Sequence, residues 1–122
     1  MPDARESDLI AVESLPQAAI VHVLARELVA QHDLDTICAA IDRAQTAAPA
    51  TPFIIDMGKV AFMGSLAMGV LVGVSQEFKA RGQRLMFAAL QPNVLQAIHV
   101  SRIHRVVEIV PDVEAGVRMV GG

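Results

Sequence analysis

The sequence predicts an α/β fold, a mixed central β-sheet of about five strands packed with about four helices, as a single domain over 1–122 with an ordered core from about 8 to 120. Three observations carry this. At 122 residues with 53% apolar residues, the chain has one-domain length and enough apolar surface for a sizeable core. Short runs rich in Ile and Val alternate with segments whose apolar residues recur every three or four positions, in the order β-β-α-β-α-β-α-β-α. After the opening pair, that alternation implies largely parallel strands with right-handed crossovers. Finally, Phe53-Ile54-Ile55-Asp56 is an apolar run without alternation, as expected of a strand covered on both faces.

Taken in order, the polar start "MPDARESDLI" is followed by "LIAVESL" and "AAIVHVLA", separated at Pro16-Gln17, which read as two paired strands. Such a pair needs a larger sheet to stabilise it. "DLDTICAAIDRAQTA" places Asp33 or Asp35 near a helix start, and Leu34, Ile37, Cys38 and Ile41 form one buried face. Pro49 and Pro52 end that helix, and "PFIID" is the next strand. A helix is expected from about Ser65 to Lys79, with Leu66, Val70, Val74 and Phe78 four apart and joined by Ala67 and Leu71 to cover the sheet. Gly82 stops it and "QRLMFAAL" supplies another strand. Pro92 opens a helix through about His99, with Val94, Leu95 and Ile98 inward. "VVEIV" is a short final strand. "PDVEAGVRMV" is a last helix with Pro111 and Asp112 at its start, ended by Gly121-Gly122.

Composition narrows the functional classes. The net charge of -3 is uneven: residues 1–58 hold nine acids against three bases, whereas 59–122 hold four against seven. The second half can face an acidic partner, but Arg81, Arg84, Arg102 and Arg105 are too dispersed for a polyphosphate binder. Four Phe and no Trp or Tyr disfavour a stacking platform, so no nucleic-acid partner is expected. Cys38 is the sole cysteine, which excludes an internal disulfide and a cysteine-rich metal site. It reads as a small, buried helix residue. The start resembles no signal peptide and no apolar stretch reaches membrane-spanning length, which points to a cytoplasmic protein.

The search for chemistry yields little. His22, His32, His99 and His104 lack a ligand spacing, so no metal or cofactor is expected. Asp56 ends a buried strand and Ser65 opens the next helix, a position that suits a site in an open α/β sheet. Yet Met63-Gly64-Ser65-Leu66-Ala67 is not a nucleophile elbow, and no histidine accompanies it at the strand end. Asp56 serves equally well as an acceptor for loop N–H groups. No catalytic residues are assigned and an enzyme is not expected. In "GKVAFMGS" the lysine precedes the second glycine, which is not the phosphate-binding order. What remains is a helix N-terminus able to accept an anion, or Ser65 acting as its N-cap. On the other face of that helix, Met68 and Val72 lie where partial exposure forms a protein-docking patch.

Across nearly its whole length the chain resembles the STAS domain, the fold of bacterial anti-sigma factor antagonists. The resemblance rests on "FIID", "GKVAFMGSLAMGVLV", Gly82, "RLMFAAL", and "PNVLQAIHVSRIHRVVEIVPDVEAGV" with its terminal Glu-Ala helix. In phosphorylated members the loop before the helix reads roughly Asp-Ser-Ser-Gly-Leu-Gly, and the second serine is the kinase target. Laid on this chain without gaps, Gly64 takes the aspartate position, Ser65 the first serine and Leu66 the acceptor. Ala67, Met68 and Gly69 follow as the Gly-Leu-Gly. The resemblance thus implies a domain without the usual phosphoacceptor, in which Ser65 is a substitute hydroxyl. Asp56 matches the strand-end aspartate that shapes the loop in relatives, and Gly69 keeps the second glycine.

The resemblance further implies a non-enzymatic bacterial regulatory domain in signal transduction and transcription regulation, with an anti-sigma factor or kinase-like partner. Its implied docking surface comprises Lys59, Met63, Gly64, Ser65, Leu66, Met68 and Val72, with His99, Ser101, Arg102 and His104 as a secondary group. Relatives also form stressosome-type assemblies or serve as small cytosolic subunits of lipid and anion transporters. Self-association is therefore an alternative, and a membrane is met only through a transporter partner.

Overall fold

The computed structural model describes residues 6–121, so most of the polar start (1–5) and the closing Gly122 lie outside the described residues. A one-turn helix, Glu6–Leu9 (α1), leads into strand Ile10–Ser14 (β1), which pairs antiparallel with Ala19–Val23 (β2). Pro16 and Gln17 lie in the connecting turn, closed by the Leu15 N–H on the Ala18 carbonyl at 2.8 Å. A two-residue strand, Glu27–Leu28 (β3), precedes helix Gln31–Ala47 (α2) and strand Phe53–Asp56 (β4). Strand Phe62–Met63 (β5) then leads into helix Ser65–Ala80 (α3) and strand Leu85–Ala88 (β6). Helix Pro92–Val100 (α4), a 3₁₀ turn at Ile103–Arg105, strand Glu108–Val110 (β7) and helix Val113–Gly121 (α5) complete the chain.

The main sheet has five strands in the order β1-β2-β4-β6-β7, antiparallel at the β1 edge and parallel elsewhere. β4 is central. Its alternation sends Phe53 and Ile55 to the core beneath α2 and α3, and Ile54 to the core beneath α5. That two-sided burial explains why its sequence shows no polar face. Among the described residues, β3 and β5 form a separate two-stranded parallel sheet that periodicity did not reveal, because two residues per strand carry no alternation to read.

Three expectations change. α2 begins at Gln31 rather than at Asp33 or Asp35. Its N-cap, Ala30, caps through no side chain, and the first turn is closed by the Leu34 N–H on the Ala30 carbonyl. Asp33 sits inside the first turn, where its charge favours the helix dipole. Cys38 is half-buried rather than buried; burial, then Asp35 and Glu77, push its thiol pKa up and keep it protonated. Leu66 does not join the inward row of α3: it is 45% exposed while Ala67, Leu71 and Phe78 are buried. A helix advances about 100° per residue, so a four-residue spacing drifts by roughly 40° each step, and Leu66 and Phe78 end on different faces.

Gly82, at φ +67°, terminates α3 as expected. The Gln83 N–H reaches the Phe78 carbonyl at 2.9 Å and the Gly82 N–H the Lys79 carbonyl at 3.0 Å, the paired bonds of a left-handed helix stop. At α5, the Asp112 carboxylate accepts the Ala115 N–H at 2.7 Å, an N-cap. Gly116 lets α5 lie close on the sheet: a Cβ there would stand 3.0 Å from Ile54 Cδ1.

Candidate functional site

The C-terminal end of β4 is where an open α/β sheet presents functional groups, and here it is built around one carboxylate. Asp56 Oδ1 accepts the Gly58 N–H at 2.9 Å, which folds the chain into a turn directly after the strand. A Cβ on Gly58 would lie 3.2 Å from that same oxygen, so the turn is tight enough to favour glycine. The loop is fastened from several sides. The Met57 N–H reaches the Ala88 carbonyl at 2.9 Å, Gln91 Nε2 donates to the Gly58 carbonyl at 3.0 Å, and the Ala61 N–H reaches the Arg26 carbonyl at 2.7 Å. Asn93 Nδ2 donates to the Ala61 carbonyl. Beside the loop, Ala89 holds a left-handed backbone at φ +62°, a strain of roughly 1–2 kcal/mol for a residue with a Cβ. Lys59 is exposed on this turn.

The loop delivers the chain to β5 and the start of α3. Gly64, not Ser65, is the N-cap; Ser65 is the first helical residue, and no side chain caps the helix. The Gly64 N–H is engaged by the Leu28 carbonyl at 3.0 Å, so the strand pair itself positions the helix end. Strand alternation in β3 and β5 turns Leu28 and Met63 into the core and leaves Phe62, Gly64 and Val29 on the outer side. A Cβ on Gly64 would touch Val29 Cγ2 at 4.0 Å. Three exposed apolar residues thus flank the uncapped helix N-terminus: Val29 at 49% exposure beside Gly64, and Phe62 at 51% and Leu66 at 45%, each two positions from Gly64 in the chain.

Met63, expected on the docking surface, is 5% exposed and belongs to the core; its neighbour Phe62 takes the outward position. Met68 and Val72 are half-buried against the core, Ser65 and Gly69 are exposed, and Gly69 has open space around its Cα. The segment after α4 does approach this end of the molecule: the Ser101 hydroxyl donates to Met68 Sδ at 3.6 Å. Beyond it the His99 and His104 rings stack at 4.4 Å with 9° between planes, and Arg102 is left-handed at φ +62°. Among the basic residues of the second half, Arg81, Arg84 and Arg118 pair with Glu77, Glu108 and Glu114.

Sequence reasoning missed Val29, Phe62 and a polar cluster on the α5 face of the sheet. There His22 Nδ1 lies 2.8 Å from Asp56 Oδ2 and its Nε2 lies 3.0 Å from Glu13 Oε1. His22 stands opposite Asp56 in the β2–β4 register. Nothing in the spacing of Glu13, His22 and Asp56 announces the cluster, because it exists only once three strands are aligned. Burial draws the His22 pKa down, but hydrogen bonds to Glu13 and Asp56 and their charges outweigh it and leave it raised above the usual 6.5. Among the described residues no three His, Cys, Asp or Glu side chains gather around a metal-sized space, and no helix is long and apolar enough to cross a membrane.

An α/β domain with this sheet order and a helix N-terminus presented beside the central strand defines a class, and sequence comparison supplies the family. The STAS domain profile matches residues 11–116, so the chain belongs to the STAS domain family. No curated protein matches it by sequence. Among solved structures it is similar to an anti-sigma-factor antagonist (STAS) domain protein from Planctomyces limnophilus, with a TM-score of 0.80, 17% identity, and 93% of this chain and 98% of that chain covered. The unphosphorylated anti-sigma factor antagonist SpoIIAA superimposes with a TM-score of 0.73, 22% identity and 93% and 97% coverage. The murine anion transporter Slc26a9 superimposes with a TM-score of 0.76 at 14% identity, over 89% of this chain and 18% of that chain. These likenesses define the fold.

Proposed function

We propose that this chain is a non-enzymatic protein-interaction domain of a bacterial regulatory system, working in the cytoplasm, that docks an anti-sigma factor or kinase-like partner through the start of α3. The observation that carries the reading is the exposure of Val29, Phe62 and Leu66 where β3, β5 and α3 meet at the uncapped helix N-terminus. Apolar side chains gathered beside a rigid loop offer contact area, and free helix N–H groups offer donors to a partner carboxylate. Lys59, Gly64, Ser65 and Met68 belong to the same loop and the first turns of the same helix.

Leu66 stands where phosphorylated relatives carry the acceptor serine, so docking here is constitutive. Phosphorylation would place roughly -1.5 to -2 charges on that surface, whereas leucine only adds contact area. Ser65 is exposed and remains the one hydroxyl at the helix start. The non-enzymatic reading is supported by the state of Asp56, whose two oxygens are both engaged, one by Gly58 and one by His22.

The test is an affinity capture of tagged protein from native lysate, with soluble and membrane fractions separated, run in parallel with a Phe62→Ala/Leu66→Ala variant. A kinase-like or anti-sigma protein retained by the wild type and lost by the variant is the expected result. A permease or transport ATPase in the membrane fraction would overturn it in favour of a transporter subunit, and exclusive capture of the chain by itself would make it an assembly component.

A further inference from the structure

The Asp56 carboxylate that shapes the recognition loop is itself held, and the holder is chemically unusual. His22 sits between two carboxylates, at 2.8 Å from Asp56 Oδ2 and 3.0 Å from Glu13 Oε1. An ionised carboxylate only accepts hydrogen bonds, and a neutral imidazole has a single N–H. Both contacts are hydrogen bonds at once only when the ring carries two protons. The geometry is therefore that of an imidazolium bridging edge strand β1 to the end of β4. From Asp56 the chain of contacts continues through Oδ1 to the Gly58 N–H, and from the Gly58 carbonyl to Gln91.

We propose that His22 is a positioning residue for the docking surface: its doubly protonated ring clamps Glu13 to Asp56 and so fixes the Gly58 turn that presents Lys59, Phe62 and the start of α3. The functional consequence rests on the docking reading above, but the clamp itself does not. When the ring loses a proton it must release one carboxylate. Glu13, the more exposed of the two, is the one that water replaces, and β1 is freed from the clamp. The remaining contact to Asp56 loses its second charge and weakens, because hydrogen bonds between two ionised partners are roughly twice as strong as neutral ones. The turn then has less to hold it.

Among the described residues, two charges act on the ring. From β1 it meets Glu13 and from β4 it meets Asp56. α5, on the same face, packs Val113, Val117 and Val120 onto the sheet and keeps Glu114 and Arg118 outward in a pair with each other. Lys59 and Arg26, on the loops at this end, are exposed.

The experiment is an NMR titration of the full chain from about pH 5 to about pH 9, following the His22 ring nitrogens and the Gly58 amide. The Gly58 amide is expected to shift with the midpoint of the His22 ring, and that midpoint is expected above about 6.5. Glu13→Gln should lower the midpoint while keeping the fold, and His22→Gln should flatten the Gly58 profile. With the captured partner in hand, wild-type affinity should fall roughly fivefold across the same range, and His22→Gln should be insensitive to pH. A Gly58 amide that ignores the His22 titration, or a ring that holds one proton throughout, overturns the clamp. A coupled titration with flat partner affinity overturns the link to docking and places the partner elsewhere, leaving the clamp standing.

Discussion

Truncating Phe62 and Leu66 to alanine separates a docking surface from ordinary surface decoration. Both side chains are about half exposed, at 51% and 45%, so each has about half its apolar area left to bury on a partner. Full burial of such a side chain stabilises by about 1.5–3 kcal/mol, so the exposed half of each contributes roughly 1 kcal/mol to docking. Together they account for roughly 2 kcal/mol, about a 30-fold rise in Kd. The already buried halves set the cost to folding. Losing them takes about 1 kcal/mol from each site, partly offset at Leu66 because alanine is the better helix former. From a stability of about 5–15 kcal/mol that leaves a folded protein. Calorimetric titration with the captured partner, beside urea unfolding of the free domain, reads both quantities. Met119→Ala is the control, since Met119 is 51% exposed on α5, on the opposite side of the sheet. Less than a twofold change for the double variant, or an equal change for Met119→Ala, would refute the assignment of this surface.

Three further outcomes are expected. Gly116→Val should drive α5 away from Ile54 and Val110, since even a Cβ would sit at 3.0–3.4 Å from them; the cost is about 1–3 kcal/mol by urea unfolding. Gln83 is buried and its Nε2 donates to the carbonyls of Ala48 at 2.9 Å and Thr51 at 2.6 Å, fastening the α2–β4 connection. Gln83→Leu keeps the volume, strips both carbonyls and should cost roughly 2 kcal/mol. The raised pKa of His22 gives stability a pH dependence of definite sign. The contribution is whole below about 6.5, the unfolded value, and is lost as pH rises through the raised folded value. The urea midpoint should therefore fall on the alkaline side, and His22→Gln should remove that slope.

The order and type of the long elements were legible because each had to bury one face. Leu34, Ile37 and Ile41 on α2, the two-sided run of β4, Gly82 at the end of α3 and Asp112 before α5 are local signals that burial or backbone geometry imposes on the sequence itself. Asp56 at the strand end was legible for the same reason. The direction of Leu66 was not, since a four-residue spacing looks inward over one turn and drifts off the face over three. The helix cap was misread at Ser65 because the strand pair β3–β5, too short to have a period, places Gly64 there instead.

By itself, then, the sequence determined a five-stranded α/β domain of the STAS family and the end of the sheet at which to look. Tertiary structure alone decided which side chains stand at that end: Val29 beside Gly64, Phe62 outward with Met63 inward, and Glu13, His22 and Asp56 in one line across three strands. The physical reason is range. Periodicity and caps act over a few residues, whereas these contacts join positions whose proximity exists only after the sheet has set its register.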